Sequence, residues 1–246
     1  PAIGGLIIAT LGFNWNFFLE ALAYVGIIVM LIPVKLPYRT ETSGPRSSPL
    51  RSMQEGLAYV WRQKIILQLI VMLLIPNIVF QPLIFLLPVF TTEVLGKEAA
   101  TGGILAAAMG VGGVVAAVII ASSGFIIRRG LVTFIGLAGG SIFVVLFSLV
   151  PWWIASFAFL AGLGFCQYAF RVANSTLIQT TVPDELRGRV MSIYMLDNGI
   201  MPVATLVLGL LIHIWSPSAA FTLFGALALG ATLLMAFGFK QVRQLD

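Results

Sequence analysis

The sequence contains very little charge: only 9% of its 246 residues are Asp, Glu, Lys or Arg. A soluble domain keeps about a quarter of its residues charged, so this composition excludes an ordinary water-soluble protein. The single cysteine, Cys166, excludes an intrachain disulfide bond. It lies far along the chain from the single histidine, His213, and the sequence has neither a G-x-S-x-G motif nor a phosphate-binding loop. We therefore expect no metal, no cofactor and no catalytic residues.

Apolar residues, by contrast, make up 59% of the chain and give it a mean hydropathy of +1.04. They form runs of about 20 residues, the length that a helix needs to cross a hydrocarbon core of about 30 Å. The predicted spans are residues 17–34, 65–90, 99–121, 131–150, 152–180, 190–214 and 218–239. Residues 1–12 have the composition of the second half of another span. Because Pro1 would begin in the middle of that span, we expect an N-terminally truncated piece of a helical membrane protein.

The basic residues are concentrated in alternate loops between the spans. Of the 14 lysines and arginines, 12 lie in one long polar segment, two further loops and the C-terminal tail, whereas the loops between these regions carry only Lys97. The 12 are Lys35, Arg39, Arg46, Arg51, Arg62, Lys64, Arg128, Arg129, Arg187, Arg189, Lys240 and Arg243. Cytoplasmic loops of membrane proteins carry such an excess. The alternation predicts that these regions face the cytoplasm, and it explains the net charge of +5 without a nucleic-acid partner.

The polar segment 35–64 divides the chain. Its first half is rich in Pro, Ser, Thr and Arg and is typical of a linker. In its second half, Ser48 is a suitable N-cap for a helix that starts at Pro49. The apolar residues that then share one helical face are Leu50, Met53, Leu57, Val60 and Trp61. This pattern predicts either an amphipathic helix on the inner membrane surface or a solvated linker helix with a few packed residues.

Three short stretches resemble motifs of one transporter family. "PAIGG" (1–5) is similar, through Pro1, Gly4 and Gly5, to the end of the antiporter motif G-P-x-x-G-G. "SSGFIIRRG" (122–130) is similar to the second copy of the family's cytoplasmic loop motif, and "NSTLIQTTVPDELRGRVMS" (174–192) to the signature of an exporter branch. The chain thus resembles the major facilitator superfamily, in particular the bacterial branch that includes enterobactin exporters and macrolide efflux proteins. The resemblance implies helices five (in part) to twelve of a two-half transporter, with helices one to four missing.

On this resemblance we expect an all-α integral membrane fold. It would comprise the C-terminal six-helix bundle and the last one and a half helices of the N-terminal bundle. The expected divisions are the end of the N-terminal bundle (1–34), a central cytoplasmic linker (35–64), the C-terminal bundle (65–239) and a cytoplasmic tail (240–246).

The function that the resemblance implies is efflux of amphiphilic small molecules, such as siderophores or drugs, by alternating access. Protons would be the coupling ion, and the protein would act as a monomer in the bacterial inner membrane. One alternative is a non-transporting receptor or subunit of the same fold. A second alternative is a membrane-embedded lipid-modifying enzyme, but the sequence offers no clustered nucleophile or metal set for that chemistry.

The exporter signature contains the densest charge in the chain. Its charged residues fall within six positions and are Asp184, Glu185, Arg187 and Arg189. Thr181 and Pro183 suit the start of a short helix whose positive end the two carboxylates would stabilise, and Gly188 would permit a close approach. Together with Arg128 and Arg129, these charges are interpreted as a cytoplasmic gate. They would act either as a latch that opens when the halves move or as a topology anchor with ordinary helix capping.

Arg171 places a charge inside a span. Gln167, Arg171 and Asn174 recur at helical spacing and form one polar stripe, while the next span carries Asp197 and Asn198 at a depth that differs by about one turn. A charge in mid-membrane costs about 2.5–3.5 kcal/mol and requires a partner or a water-filled cavity. Arg171 and Asp197 are therefore predicted either to form an ion pair between helices or to face the central cavity. With the resemblance, the second alternative implies a role in handling substrate or protons.

Three prolines, Pro76, Pro82 and Pro88, interrupt the first span after the linker. Proline removes backbone hydrogen bonds and kinks a helix. Such breaks are tolerated where protein or cavity water satisfies the freed groups, and they often flank transporter binding sites. Asn77 and Gln81, four positions apart, are candidate cavity-lining donors, with packing against a neighbouring helix as the alternative.

The next span carries a stripe of small residues. Its members are Gly102, Ala106, Gly110, Gly113, Ala117 and Ala121. Small residues let two helices in a membrane approach closely, so the stripe predicts a helix contact. The resemblance implies that this contact is a sliding surface against helix five.

Overall fold

The computed structural model of the chain describes residues 13–34, 49–98, 101–122 and 128–245, and every regular element among them is a helix. Seven helical segments of the described residues are long and apolar enough to cross a membrane. They are Asn14–Leu31, Lys64–Glu93, Thr101–Ser122, Arg129–Leu149, Trp153–Thr181, Asp184–Ile214 and Pro217–Gly238. The all-α fold and the seven predicted spans are confirmed. The largest difference in a boundary is at Asp184, six residues before the predicted start at 190, because the helix of the charged motif is continuous with the first apolar residues of the span.

The chain forms two compact units, Pro1–Ser48 and Pro49–Asp246. The described helix of the first unit is α1 (Phe13–Leu31), in which apolar residues are spread over all sides and Glu20 is the one charged residue. The absence of a polar face is typical of a helix that hydrocarbon or protein surrounds.

The second unit begins with the helix of the polar segment, α2 (Pro49–Arg62), and continues through the remaining spans. Its other helices are α3 (Lys64–Met72), a π-helical turn (Pro76–Phe80), α4 (Gln81–Glu93), α5 (Thr101–Ser122), α6 (Arg129–Leu149), α7 (Trp153–Thr181), α8 (Asp184–Leu196), a 3-10 turn (Asp197–Ile200), α9 (Met201–Ile214), α10 (Pro217–Gly238) and α11 (Lys240–Arg243). The amphipathic part of the expected linker is therefore in the same compact unit as the helices that follow it.

Helix α7 packs between α5 and α6, and glycine makes the closest of these contacts possible. A Cβ atom on Gly112 of α5 would overlap the carbonyl oxygen of Ala161, and one on Gly164 of α7 would overlap that of Met109. Two glycines of the small-residue stripe predicted on α5 differ in their surroundings. A Cβ atom on Gly102 would lie 3.0 Å from the backbone nitrogen of Pro88, whereas a Cβ atom on Gly110 would have no neighbour within 4 Å. The tightest contact of α5 is thus made by Gly112, which the predicted stripe did not include.

Three aromatic rings join α4, α6 and α10 in the core. The ring centroids of Phe90 and Phe147 are 4.3 Å apart, and that of Phe221 is 5.7 Å from Phe90. All three side chains are fully buried. Aromatic pairs at such distances contribute about 0.5–1.5 kcal/mol beyond their burial, so this cluster helps to fix the three helices relative to one another.

Helix α2 begins at Pro49, as predicted, while Ser48 lies outside the described residues. It packs on α8 through Gly56, whose Cβ position is 3.1 Å from the Cβ of Arg189. Val60 is buried, but most of the predicted apolar face is not in this contact: Met53, Leu57 and Trp61 are exposed. The helix packs through its smallest residue because a glycine allows the two backbones to approach, and this leaves the larger apolar side chains on the outside.

The C-terminal tail docks against the start of α6. The amide of Gly130 donates a hydrogen bond of 3.0 Å to the carbonyl of Leu245, and the side chain of Val242 is fully buried. A Cβ on Gly130 would overlap the carbonyl oxygen of Val242. The tail thus belongs to the packed structure of the second unit, a feature that the sequence did not predict.

Candidate functional site

Two of the spans are interrupted, and their interruptions contact each other. The first is broken by the π-helical turn Pro76–Phe80, in which the amide of Gln81 donates to the carbonyl of Pro76. The second, missed by the sequence analysis, is broken by the 3-10 turn Asp197–Ile200. The π-helical turn packs against the 3-10 turn. Irregular backbone at membrane depth is tolerated only where protein or cavity water satisfies it, and in transporters such breaks form substrate and ion sites.

The prolines explain the first interruption. Pro76 and Pro82 lack the amide hydrogens that a regular helix needs, so the chain changes register between α3 and α4. The two amide side chains predicted in this region differ in position. Asn77 is fully buried, whereas Gln81 is half-buried, on the side of α4 where Phe85 is 59% exposed. Gln81 is thus the residue of the two that stays partly exposed.

The sequence offers a weak signal for the second interruption. Gly199 lies inside the 3-10 turn and Pro202 is at the start of α9, a combination that weakens regular helical hydrogen bonding. The backbone of Asp197 and Asn198 forms this turn, but their side chains lie outside the described part of the structure. The pairing of Arg171 with Asp197 therefore stays a prediction.

The polar stripe predicted on α7 is divided by packing. Gln167 and Asn174 are buried among neighbouring helices, whereas Arg171 is only half-buried. The Nδ2 of Asn174 donates a hydrogen bond of 3.0 Å to the carbonyl oxygen of Leu69, which joins α7 to α3. The Oδ1 of the same side chain is buried and accepts no hydrogen bond from any described residue.

The face of α7 that stays open carries a different set of polar residues. Tyr168, Arg171, Ser175 and Gln179 follow one another at intervals of three and four positions, and each is at least partly exposed. The Nε2 of Gln179 donates to the Oγ of Ser175 over 2.9 Å. The Nε of Arg171 is buried and has no hydrogen-bond partner among the described residues. The spacing of these four residues was visible in the sequence, but their exposure depends on which helices cover the other faces.

The charged motif at the start of α8 is used locally and in one longer-range contact. Nη2 of Arg187 lies 2.7 Å from Oδ1 of Asp184, and Nε of the same arginine donates to the carbonyl of Gln179 over 3.0 Å. A cation at the end of α7 satisfies a terminal carbonyl and favours the negative end of that helix. Nη1 of Arg189 pairs with Oε2 of Glu55 and thus ties α8 to α2.

Two predictions about this motif are corrected. Thr181 is the last residue of α7, and the carbonyl of Pro183 accepts the first backbone hydrogen bonds of α8, because the connection is only two residues long. A Cβ atom built on Gly188 would have no neighbouring atom within 4 Å, so this glycine makes no close helix contact. The close approach uses Gly56 of α2 instead. Glu185 lies in the first turn of α8, where a carboxylate is favoured.

The remaining predicted residues lie in other parts of the chain. Arg128 and Arg129 are at the start of α6, next to the docked tail, and both make polar or electrostatic contacts. Pro1, Gly4 and Gly5 lie outside the described residues. Among the described residues, no group of three or more His, Cys, Asp or Glu side chains is arranged to hold a metal ion.

Comparison with known proteins gives consistent matches. The family model described as Major Facilitator Superfamily matches residues 1–201. The chain is 28% identical over 239 residues to the enterobactin exporter EntS of Escherichia coli O1:K1 / APEC, and 27% identical over the same length to the enterobactin exporter EntS of Shigella flexneri. Each alignment covers 96% of this chain and 56% of the relative, so the chain spans about half the length of these relatives.

A solved structure has the same fold. It is that of a bacterial homolog of the human lysosomal transporter Spinster, in an inward-facing and unoccupied conformation. The TM-score is 0.53 with 16% sequence identity, over 98% of this chain and 64% of the other. At this identity the likeness shows the fold alone.

Proposed function

The chain belongs to the major facilitator superfamily, and we propose that the protein exports amphiphilic small molecules as a secondary active transporter that works by alternating access. It is a multi-pass protein of the bacterial inner membrane. The observation that carries the proposal is the contact between the two interrupted spans at the π-helical turn Pro76–Phe80 and the 3-10 turn Asp197–Ile200. Broken helices that meet inside the bundle provide unpaired backbone groups and a hinge, which a transporter requires and a static membrane anchor does not.

We propose that the pathway for substrate and protons runs along the open face of α7 and the open side of α4. Arg171 and Gln81 would contact the substrate directly, because they are partly exposed. The other proposed pathway residues would act at or around the interruptions and are Asp197, Asn198, Asn77, Gln167 and Asn174. Siderophores and drugs are the substrate classes that a mostly apolar cavity with one arginine suits, and proton antiport is the proposed coupling.

The proposed cytoplasmic gate is built around the pair of Arg189 and Glu55. This pair connects the linker helix to the span that contains the 3-10 turn, so movement of one helix is transmitted to the other. Arg187 and Asp184 brace the start of the same span. The gate would also involve Glu185, Arg128 and Arg129. The antiporter motif Pro1, Gly4 and Gly5 would complete the transporter on the other side of the linker.

For the domain organisation we propose the end of an N-terminal bundle at 1–34, a linker at 35–64, the C-terminal bundle at 65–239 and a cytoplasmic tail at 240–246. The protein would act as a monomer. Its relatives by sequence are exporters, which points away from an enzyme, and we propose that the protein has no catalytic activity. The main competing function is a non-transporting receptor of the same fold.

The test is transport by the full natural chain in inside-out membrane vesicles. Two amphiphilic dyes are suitable, the neutral N-phenyl-1-naphthylamine and the anionic 8-anilinonaphthalene-1-sulfonate. We expect an imposed proton gradient to drive accumulation of at least one dye and an uncoupler to abolish it. Arg171→Ala and Asp197→Ala should each lower that rate by about tenfold or more, equivalent to about 1.4 kcal/mol. Lys97→Ala, in an outer loop, is the control.

The outcomes separate the alternatives. Saturable dye binding without accumulation would favour the receptor. Accumulation that persists unchanged in both variants would remove the assigned roles of Arg171 and Asp197 and leave the export function in place.

A further inference from the structure

The guanidinium of Arg171 has an unusual environment for a charge within a membrane span. Its Nε atom is buried and donates no hydrogen bond to any described residue. Charged groups inside a bilayer pair with one another or face a water-filled cavity, because an unpaired charge is costly to remove from water. Among the described residues, the Nε atom of Arg171 therefore has no hydrogen-bond acceptor.

Two further buried polar atoms, one on α3 and one on α7, lack partners. Oδ1 of Asn174 and Oε1 of Gln68 are buried acceptors without a donor among the described residues. Asn174 joins α7 to α3 through the carbonyl of Leu69, the residue next to Gln68 in the sequence. The guanidinium and the two acceptors do not satisfy one another. Buried polar atoms without a partner are rare in folded proteins.

The side chain of Arg171 as a whole is partly accessible, although its Nε atom is buried. Arg171 is half-buried and lies on the open face of α7 between Tyr168 and Ser175, with Gln179 one turn beyond. A face with four polar side chains is unsuited to hydrocarbon, so it must line a cavity or contact protein. A molecule that enters such a cavity would meet Arg171, the one lysine or arginine of this unit that lies more than six residues from both ends of its described span.

We propose that Arg171 binds the anionic group of the transported molecule, and that the substrates of this protein are anionic amphiphiles carrying a carboxylate, a phenolate or a sulfonate. The inference rests on the export function proposed above and adds the sign of the substrate's charge. A guanidinium presents parallel N–H groups that match the oxygens of such an anion. Asp197 is the competing counter-ion, and the test below distinguishes the two.

The experiment measures binding of two dyes to the full natural chain in nanodiscs of neutral lipid. The dyes 8-anilinonaphthalene-1-sulfonate and N-phenyl-1-naphthylamine differ by one sulfonate, so the ratio of their dissociation constants isolates the contribution of the anion. We expect Arg171→Gln to weaken binding of the sulfonate dye by about tenfold, or about 1.4 kcal/mol, and to leave the neutral dye within about twofold. Arg62→Gln is the matched control, because it removes the same charge from an exposed arginine in the last turn of α2, outside the proposed pathway and gate.

A second variant keeps Arg171 in place. Ser175→Glu adds a carboxylate one turn away on the open face, where it would compete with the substrate for the guanidinium. It should weaken the sulfonate dye several-fold and leave the neutral dye unchanged. Arg171→Lys should retain most of the preference for the anion, because the charge is kept.

Three results would overturn the inference. The first is equal weakening of both dyes by Arg171→Gln, which indicates a structural role for the arginine. The second is an unchanged ratio of the two dissociation constants in both Arg171→Gln and Ser175→Glu, as expected if Asp197 is permanently paired with the guanidinium. The third is an equal loss of sulfonate-dye binding in the control Arg62→Gln. Binding is measured without a proton gradient, so the two proposals can fail separately. Anion-selective binding without transport would contradict only the export proposal. Transport without a preference for the anionic dye would contradict only this inference.

Discussion

Arg189 of α8 pairs with Glu55 of α2, a residue 134 positions earlier in the chain, and the pair lies beside the close contact at Gly56. The two side chains are 32% and 40% exposed. An ion pair that water reaches to this degree contributes only about 0–1 kcal/mol to stability. A pair this weak can break at little cost in free energy, as the proposed latch would require.

Removing this pair should change transport more than stability. We expect Glu55→Gln and Arg189→Gln each to alter the rate of proton-driven dye transport several-fold, with a coupling energy in unfolding of less than about 1 kcal/mol. The exchange Glu55→Arg with Arg189→Glu should restore the rate in part. A double-mutant cycle on the free energy of unfolding, run beside the transport assay, measures both quantities. Large destabilisation with unchanged transport would show that the pair is only a structural tie.

The contact between α5 and α7 gives a prediction about stability. Gly112→Ala would place a methyl group on the carbonyl of Ala161 and force the helices apart. Overpacking of this kind typically costs about 1–3 kcal/mol, and we expect a loss of that size in the free energy of unfolding in detergent. Gly230→Ala is the control, because a Cβ atom on that glycine of α10 would have no neighbour within 4 Å. Equal stability of the two variants would contradict the packing of α7 against α5.

The hydrogen bond from Asn174 to the carbonyl of Leu69 spans 3.0 Å between α7 and α3. Interhelical hydrogen bonds in membrane proteins contribute about 0.6 kcal/mol on average and up to about 1.7 kcal/mol. Asn174→Leu should therefore lower the free energy of unfolding by an amount within this range, which reversible unfolding in mixed micelles can measure. Gln179→Leu, which removes an exposed bond within α7, should have a smaller effect. The reverse order would mean that Asn174 does not hold the two helices together.

The docked tail can be tested by proteolysis. Gly130→Ala would place a methyl group on the carbonyl of Val242 and displace α11 from the start of α6. We expect trypsin to cleave after Lys240 and Arg243 several times faster in inside-out vesicles of this variant. Gly238→Ala is the control, since that glycine is adjacent to the tail and a Cβ atom on it would have no neighbour within 4 Å. Unchanged cleavage in Gly130→Ala would mean that the tail is not held there.

Much of the fold follows from local properties of the sequence. The length and apolar character of each run determine whether it can cross a bilayer, and no knowledge of neighbouring helices is needed for that prediction. The break at Pro76 was predictable for the same reason, because proline lacks an amide hydrogen wherever it occurs. The 3-10 turn at Asp197 was missed, since Gly199 and Pro202 weaken a helix without specifying where it breaks.

The candidate site was less predictable because it depends on what covers each helix. Gln167, Arg171 and Asn174 share a helical stripe, but α7 is covered on two sides, so two of the three are buried and the open face is shared with Tyr168 and Ser175 instead. The ion pair between α2 and α8 also could not be predicted from the sequence. It arises only once the chain between the two helices has folded.

The central claim is that the charged start of α8 faces the cytoplasm while the end of α4 faces outward, and cysteine labelling tests it most directly. In a Cys166→Ser background, Glu185→Cys and Lys97→Cys each place one exposed thiol on opposite sides of the membrane. A membrane-impermeant maleimide should label Lys97→Cys in intact spheroplasts and Glu185→Cys only in inside-out vesicles. Labelling of Glu185→Cys from outside the cell would contradict the orientation, the cytoplasmic latch and the direction of transport.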